Sequence, residues 1–117
     1  MGHKAANRLE ILRMARQTAA RIVERHSEVR RILLIGSFAR PEYDPGSDME
    51  ILIVLSTSTK PFARRVEEFS NDCPAYPTKV FPITEDELRA RLEEEDAFWL
   101  NALKEGIQCY PVAGCFE

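Results

Sequence analysis

The stretch GSFARPEYDPGSDMEILIVL, Gly36 to Leu55, decides how this chain is read. An apolar run, Ile32 to Ile35, breaks abruptly into Gly36-Ser37, and ten intervening residues lead to Asp48, Met49 and Glu50. A second apolar run, Ile51 to Leu55, follows at once. The runs read as buried strands. A glycine at the end of the first permits a sharp turn and lets a ligand approach the backbone closely. Ser37 adds a hydroxyl and opens a helical turn, whose free N–H groups favour an anion such as phosphate. Side chains two apart on a strand share a face, so Asp48 and Glu50 present paired carboxylates. Paired hard oxygen ligands suit Mg²⁺, which completes its shell with waters and substrate phosphates. Their mutual repulsion in a partly buried setting needs a cation or nearby donors to relieve it.

Working outward, residues 5–26 are predicted to be a helix, with Ile11, Leu12, Ala15, Ala19, Ile22 and Val23 on one stripe. Arg30 to Gly36 and Asp48 to Leu55 are the two strands, and Pro41 ends the helical turn between them. Residues 59–71 are a second helix with Phe62, Val66 and Phe69 inward, and residues 76–83 a third strand. Pro82 places that strand's end there or the strand itself at a sheet edge. Thr84-Glu85-Asp86-Glu87 forms a capping box opening a helical region that runs to Lys104, kinked near Glu94. Gly106 stops it, and residues 107–110 make a short last strand. The expectation is an α/β (α+β) fold, a small mixed β-sheet flanked by helices, in one domain spanning residues 1–117.

Bulk properties narrow the function. With 44% hydrophobic and 30% charged residues the chain is an ordinary globular protein. The polar opening MGHKAANRLE carries no signal-peptide core and no segment is apolar enough to span a bilayer, so the expected location is cytoplasmic. Cys73, Cys109 and Cys115 lack CxxC spacing and two histidines do not complete a zinc site, so the thiols read as buried or idle. His26 reads as a dipole partner at a helix C-terminus. Residues 1–40 hold nine Lys/Arg against three Asp/Glu, and the rest seven against sixteen. Because few aromatics are interleaved for stacking, the arginines Arg8, Arg13, Arg16, Arg21 and Arg25 read as the wet face of the first helix, with nucleic-acid binding left open. Neither GxxxxGK[ST] nor GxGxxG occurs.

Gly36-Ser37, ten residues, then Asp48-Met49-Glu50 resembles the signature of the minimal nucleotidyltransferases of the DNA polymerase β-like superfamily. The GS-x-AR segment ending at Arg40, and Ser47-Asp48, match as well. TKVFPITEDEL resembles that family's third-strand segment and ALKEGIQCY its helix-to-strand ending, so the likeness runs from about Leu33 to Tyr110. The resemblance implies Mg²⁺-dependent transfer of a nucleoside monophosphate from a nucleoside triphosphate such as ATP to an acceptor hydroxyl. Gly36, Ser37, Arg40 and Ser47 would serve the nucleotide, and Asp48 and Glu50 the metal and the chemistry. It also implies a small helical HEPN partner in a toxin–antitoxin pair. Three departures stand out: Glu50 for the family's aspartate, Pro41 for a glycine, and Phe81 at the third carboxylate. Phenylalanine binds no metal, and the acids nearest to replace it are Glu85 and Asp86. The alternative implied is a catalytically degenerate fold acting as a nucleotide- or protein-binding module.

Overall fold

The computed structural model describes residues 7–112; His3, Cys115 and the first two residues of the expected helix lie outside them. The elements run α1 (Arg8–Arg25), β1 (Val29–Ile35), a single 3₁₀ turn (Ser37–Ala39), β2 (Met49–Leu55), α2 (Phe62–Ser70), β3 (Thr78–Thr84), α3 (Glu85–Glu93), α4 (Ala97–Glu105) and β4 (Ile107–Tyr110). The four strands form one mixed sheet in the order β3-β2-β1-β4. β1 runs antiparallel to both β2 and β4, while β2 and β3 are parallel.

Strand alternation sorts the apolar residues into two layers. On one face Ile32 and Leu34 of β1 and Ile51 and Ile53 of β2 pack with Ile11, Ala15, Ala19 and Ile22 of α1 and Phe69 of α2. On the other, Leu33, Ile35, Leu52 and Val54 pack with Leu88 of α3, Ala102 of α4 and Ile83 of β3. The inner strands are therefore apolar on both sides. Asn7 caps α1 by accepting from the Glu10 N–H, and Thr84 and Glu87 form the reciprocal capping box of α3.

Several expectations are sharpened. Pro82 lies inside β3, which is an edge strand, where a missing N–H costs no ladder bond. The expected kink near Glu94 is a full break: Glu95 takes φ 57°, and Asp96 starts α4 afresh by accepting from the Phe98 N–H. Gly106 stops α4 because a Cβ there would meet the Ala102 carbonyl at 2.5 Å and Leu33 at 3.0 Å. Phe62, expected inward, is 44% exposed. It sits in the first turn of a nine-residue helix and lines a groove with Ile83 and Trp99 instead of reaching the α1 side of the core.

His26 is the C-cap of α1, yet its partner is a side chain: Nε2 lies 2.9 Å from Oδ2 of the buried Asp72, and its ring packs on Phe69. Arg25 reaches the same carboxylate at 3.0 Å, and Arg21 donates to the Asp72 carbonyl. The basic face of α1 is thus partly structural, tying α1 to the end of α2. Cys109 is buried and Cys73 half-buried, and burial pushes both thiols up, as expected of idle cysteines.

Candidate functional site

The site begins where β1 runs out. Gly36 takes φ +78°, a left-handed conformation that side chains resist. A Cβ on Gly36 would lie 2.8 Å from Cδ and Oε1 of Glu50, so the glycine's bare Cα is the surface on which that carboxylate rests. Beyond it the 3₁₀ turn is held from below by Arg8, whose guanidinium donates to the Phe38 and Ala39 carbonyls at 2.9 and 3.2 Å. Ser37 heads a turn of three residues, too short to act as a helix dipole. Its oxygen accepts the Asp44 N–H at 2.6 Å, which pins the loop leading to β2 and leaves its proton to donate. Asp44 also accepts from the Gly46 N–H, and the Tyr76 hydroxyl donates to the Ser47 carbonyl at 2.8 Å. Ser47 therefore enters the site through its backbone anchorage, immediately before Asp48.

Glu50 pairs across the sheet with Ile35 on β1 and Lys79 on β3. Alternation directs it, with Leu52 and Val54, to the face covered by α3 and α4. Asp48, expected as the first residue of the strand, lies immediately before β2, yet it stands on the same side: Lys79 Nζ lies 3.9 Å from Asp48 Oδ2 and acts electrostatically on Glu50 as well. Burial raises the Glu50 pKa above the usual carboxylate range; Lys79 opposes that rise, Asp48 adds to it and Arg40 opposes it. Arg40 spans the mouth of this cleft, 3.5 Å from both the Gly36 carbonyl and Oε1 of Glu105 on α4. A cavity of about 170 Å³ lies behind it, lined by Gly36, Glu50, Phe98, Asn101 and Glu105 among others. Ligand pockets usually measure ~300–1,000 Å³. This one has room for part of a ligand, and the remainder must lie over the more open side bearing Asp48 and Lys79.

Phe81 pairs with Leu52, which puts it on the same face as Glu50 and two residues farther along β3 than Lys79. Its ring stacks against Phe98 of α4 with centroids 5.2 Å apart. The third-acid position is thus occupied by an aromatic contact joining sheet and helix. Glu85 and Asp86 do not replace it. Parallel pairing runs from Met49 opposite Thr78 to Leu55 opposite Thr84, so both acids lie beyond the far end of the strands. At ~3.3 Å per residue that is about 20 Å from Glu50. Asp86 is instead paired with Arg89 at 2.8 Å. Among the described residues, no three His, Cys, Asp or Glu side chains converge as a metal cluster.

The donor set can therefore be judged ligand by ligand. Two carboxylates on one face, open to solvent on the Asp48 side, fit a divalent ion that takes its other ligands from phosphate and water. A second ion dependent on a carboxylate at the third-strand position finds Phe81 there instead. Sequence reasoning missed Lys79, Tyr76, Arg8 and Glu105, all of which reach the site from other elements. The only signal for Lys79 was its position two before Phe81 in the third-strand segment.

Comparison with known proteins agrees with this fold. The nucleotidyltransferase domain family matches residues 16–104. Among curated proteins, no relative matches the sequence. A Sulfolobus solfataricus protein provisionally assigned as a nucleotidyltransferase is 16% identical, with TM-score 0.64, covering 86% of this chain and 80% of its own. A mutant MntA–HpeT toxin–antitoxin structure is 14% identical, with TM-score 0.47, covering 92% of this chain and 75% of its own. The first of these shares the fold. With the family match extending over most of the sequence, from the middle of α1 to the end of α4, this chain belongs to the nucleotidyltransferase domain family.

Proposed function

We propose that the protein is a nucleotide-binding member of this family that holds a nucleoside triphosphate such as ATP with one magnesium ion and is severely impaired in transfer. The observation that carries this reading is the split in the site. Asp48 and Glu50 share a face beside Gly36, while Phe81 is committed to Phe98. Asp48 and Glu50 would hold Mg²⁺, which when bound neutralises triphosphate oxygens. Ser37 donates its hydroxyl proton towards phosphate, and Arg40 adds positive charge at the cleft mouth. Phe81 cannot take the proton of an acceptor hydroxyl as a third carboxylate would, and Glu105, the other carboxylate lining the cavity, is paired with Arg40. Loss of one member of a cooperating catalytic set commonly costs several orders of magnitude in rate.

The second reading, transfer of a nucleoside monophosphate to an acceptor hydroxyl, is favoured by the retained acid pair and by family membership. The resemblance in the sequence also supports a small helical HEPN protein as partner and acceptor, in the cytoplasm; no described helix is long and apolar enough to cross a membrane. The test combines two measurements. A thermal-shift titration with each of the four ribonucleoside triphosphates and Mg²⁺ should raise Tm in wild type, because a ligand that binds only the folded state stabilises it. Asp48→Asn should remove the Mg²⁺-dependent part of the shift. Incubation with α-³²P-labelled triphosphates and a co-expressed HEPN partner should leave the partner unlabelled. No shift at saturating nucleotide and metal rejects the binding reading, and robust labelling establishes the transferase.

A further inference from the structure

Paired carboxylates on one strand face repel each other, and where no third acid recruits a second metal ion the charge must be met in another way. The neighbouring strand supplies the answer. Parallel register sets Lys79 directly opposite Glu50, and its ammonium reaches to 3.9 Å from Asp48 Oδ2. Both side chains remain accessible, Lys79 at 63% and Asp48 at 40%. The contact is too long for a committed hydrogen bond, so the ammonium keeps donors to offer. Lys79 lies two residues nearer the open end of the strands than Phe81. It also lies on the open side, outside the cavity behind Arg40 that is too small for a whole ligand.

We propose that Lys79 is a resident cation that takes over charge neutralisation from the second metal ion and binds the triphosphate directly, so that this site recognises polyphosphate even without a divalent ion. The inference rests on the reading of Asp48 and Glu50 as a nucleotide site and adds a polyphosphate-contacting residue from β3. Its physical content is a division of labour. Asp48 and Glu50 serve the metal-dependent part of binding, and Lys79 serves a metal-independent part. A lysine suits this position because its compact ammonium can turn between Asp48 and an incoming phosphate on a flexible stem.

Isothermal titration calorimetry with inorganic tripolyphosphate, which removes any dependence on the base, tests this in two arms, with Mg²⁺ and with EDTA. Wild type is expected to bind in both, more tightly with Mg²⁺. Lys79→Ala should eliminate binding in EDTA and weaken the Mg²⁺ arm about tenfold, as befits loss of a charge-assisted contact. Lys79→Arg should restore the EDTA arm. Asp48→Asn should do the reverse, removing the Mg²⁺-dependent gain while binding in EDTA persists and tightens, since a negative charge beside Lys79 is gone. Lys79 is exposed on an edge strand, so circular dichroism should show each Lys79 variant folded. If Lys79→Ala matches wild type in both arms, the role of Lys79 is overturned while the metal–nucleotide reading stands. Absence of binding by wild type in both arms overturns the two together. Binding in EDTA that is equal in wild type, Lys79→Ala and Asp48→Asn marks diffuse surface attraction and also overturns the proposal.

Discussion

The parallel pair β2–β3 carries a charged cluster at each end, and the two are built in opposite ways. At the far end Arg65, its side chain only 5% exposed, donates to both oxygens of Glu87 at 2.7 and 2.9 Å and to the Lys60 and Pro82 carbonyls. Glu87 in turn accepts the Thr84 N–H within the capping box of α3. Each of these groups has a partner within 3.2 Å. At the near end one lysine lies 3.9 Å from Asp48 and also acts electrostatically on Glu50, and an arginine that is itself held by Glu105 acts on Glu50. The first cluster fastens α2 and α3 to the sheet. The second leaves charge incompletely satisfied, as a site for an outside ligand requires. Charged residues at a strand end therefore point to function only when their partners are few and distant.

The largest difference between the ends should appear on deleting a charge from each. Arg65→Ala strands a buried Pro82 carbonyl and removes the partner of Glu87, and should cost about 3–5 kcal/mol in urea denaturation. Nucleotide binding at the near end should be retained by whatever fraction stays folded. A loss near zero would show that the far end is no more structural than the near end.

Gly36→Ala should come next. The positive φ costs about 1–3 kcal/mol for a residue with a Cβ. The new methyl would displace the Glu50 carboxylate from its seat at 2.8 Å. Because the far end of a glutamate side chain can move, much of the damage should fall on metal and nucleotide affinity. Calorimetry should show that affinity falling further than stability does. Unchanged affinity would mean that the position of Glu50 is immaterial.

The acid limb of stability should separate the ends again. Hydrogen bonding to Arg65, despite burial, lowers the Glu87 pKa to about 2 in the folded protein. Unfolded, it titrates near 4.3. Its contribution is thus fully present above about pH 5 and is lost as pH falls towards 2. With Glu87 partly exposed, solvent screening reduces the effect to about 1–2 kcal/mol. Glu87→Gln should flatten that part of the pH–stability curve, measured by chemical denaturation from pH 7 to pH 3.

Glu50→Gln should produce the smallest change, with the opposite sign. The Glu50 pKa is raised, chiefly by burial, so its charged form is the unfavourable one. Neutralising it should stabilise the metal-free protein by less than about 1 kcal/mol at pH 7, solvent screening keeping the gain small, while abolishing the Mg²⁺-dependent part of nucleotide binding. A destabilised variant would show that Glu50 is held in place for structure.

How much of this was legible in the sequence follows from how local each feature is. Gly36, Ser37, Asp48 and Glu50 could be grouped because a turn and a two-residue strand period operate over short distances. Phe81 was placed on the acid face by resemblance alone, and the pairing with Leu52 agrees. Lys79 could not be assigned a partner, since its place opposite Glu50 depends on a parallel register closed by a connection that includes the whole of α2. Arg8 looked like one of five solvent-facing arginines, and only the packing of α1 beneath the 3₁₀ turn turns it into a clamp. Glu85 and Asp86 seemed near the site because they are near Phe81 in sequence. Extended backbone converts those few residues into distance along the strand, and carries both acids away from the other two.

The most direct test of the split site counts divalent ions. Electron paramagnetic resonance with Mn²⁺ and the non-transferable α,β-methylene analogue of ATP should reveal one tightly bound ion per chain in wild type. Phe81→Asp breaks the contact with Phe98 and should destabilise the metal-free protein by about 3 kcal/mol. It should nevertheless bind a second Mn²⁺, because a carboxylate there faces the same side as Glu50. Two tightly bound ions in the wild-type protein would contradict the account, since its third-acid position would then not be empty of function.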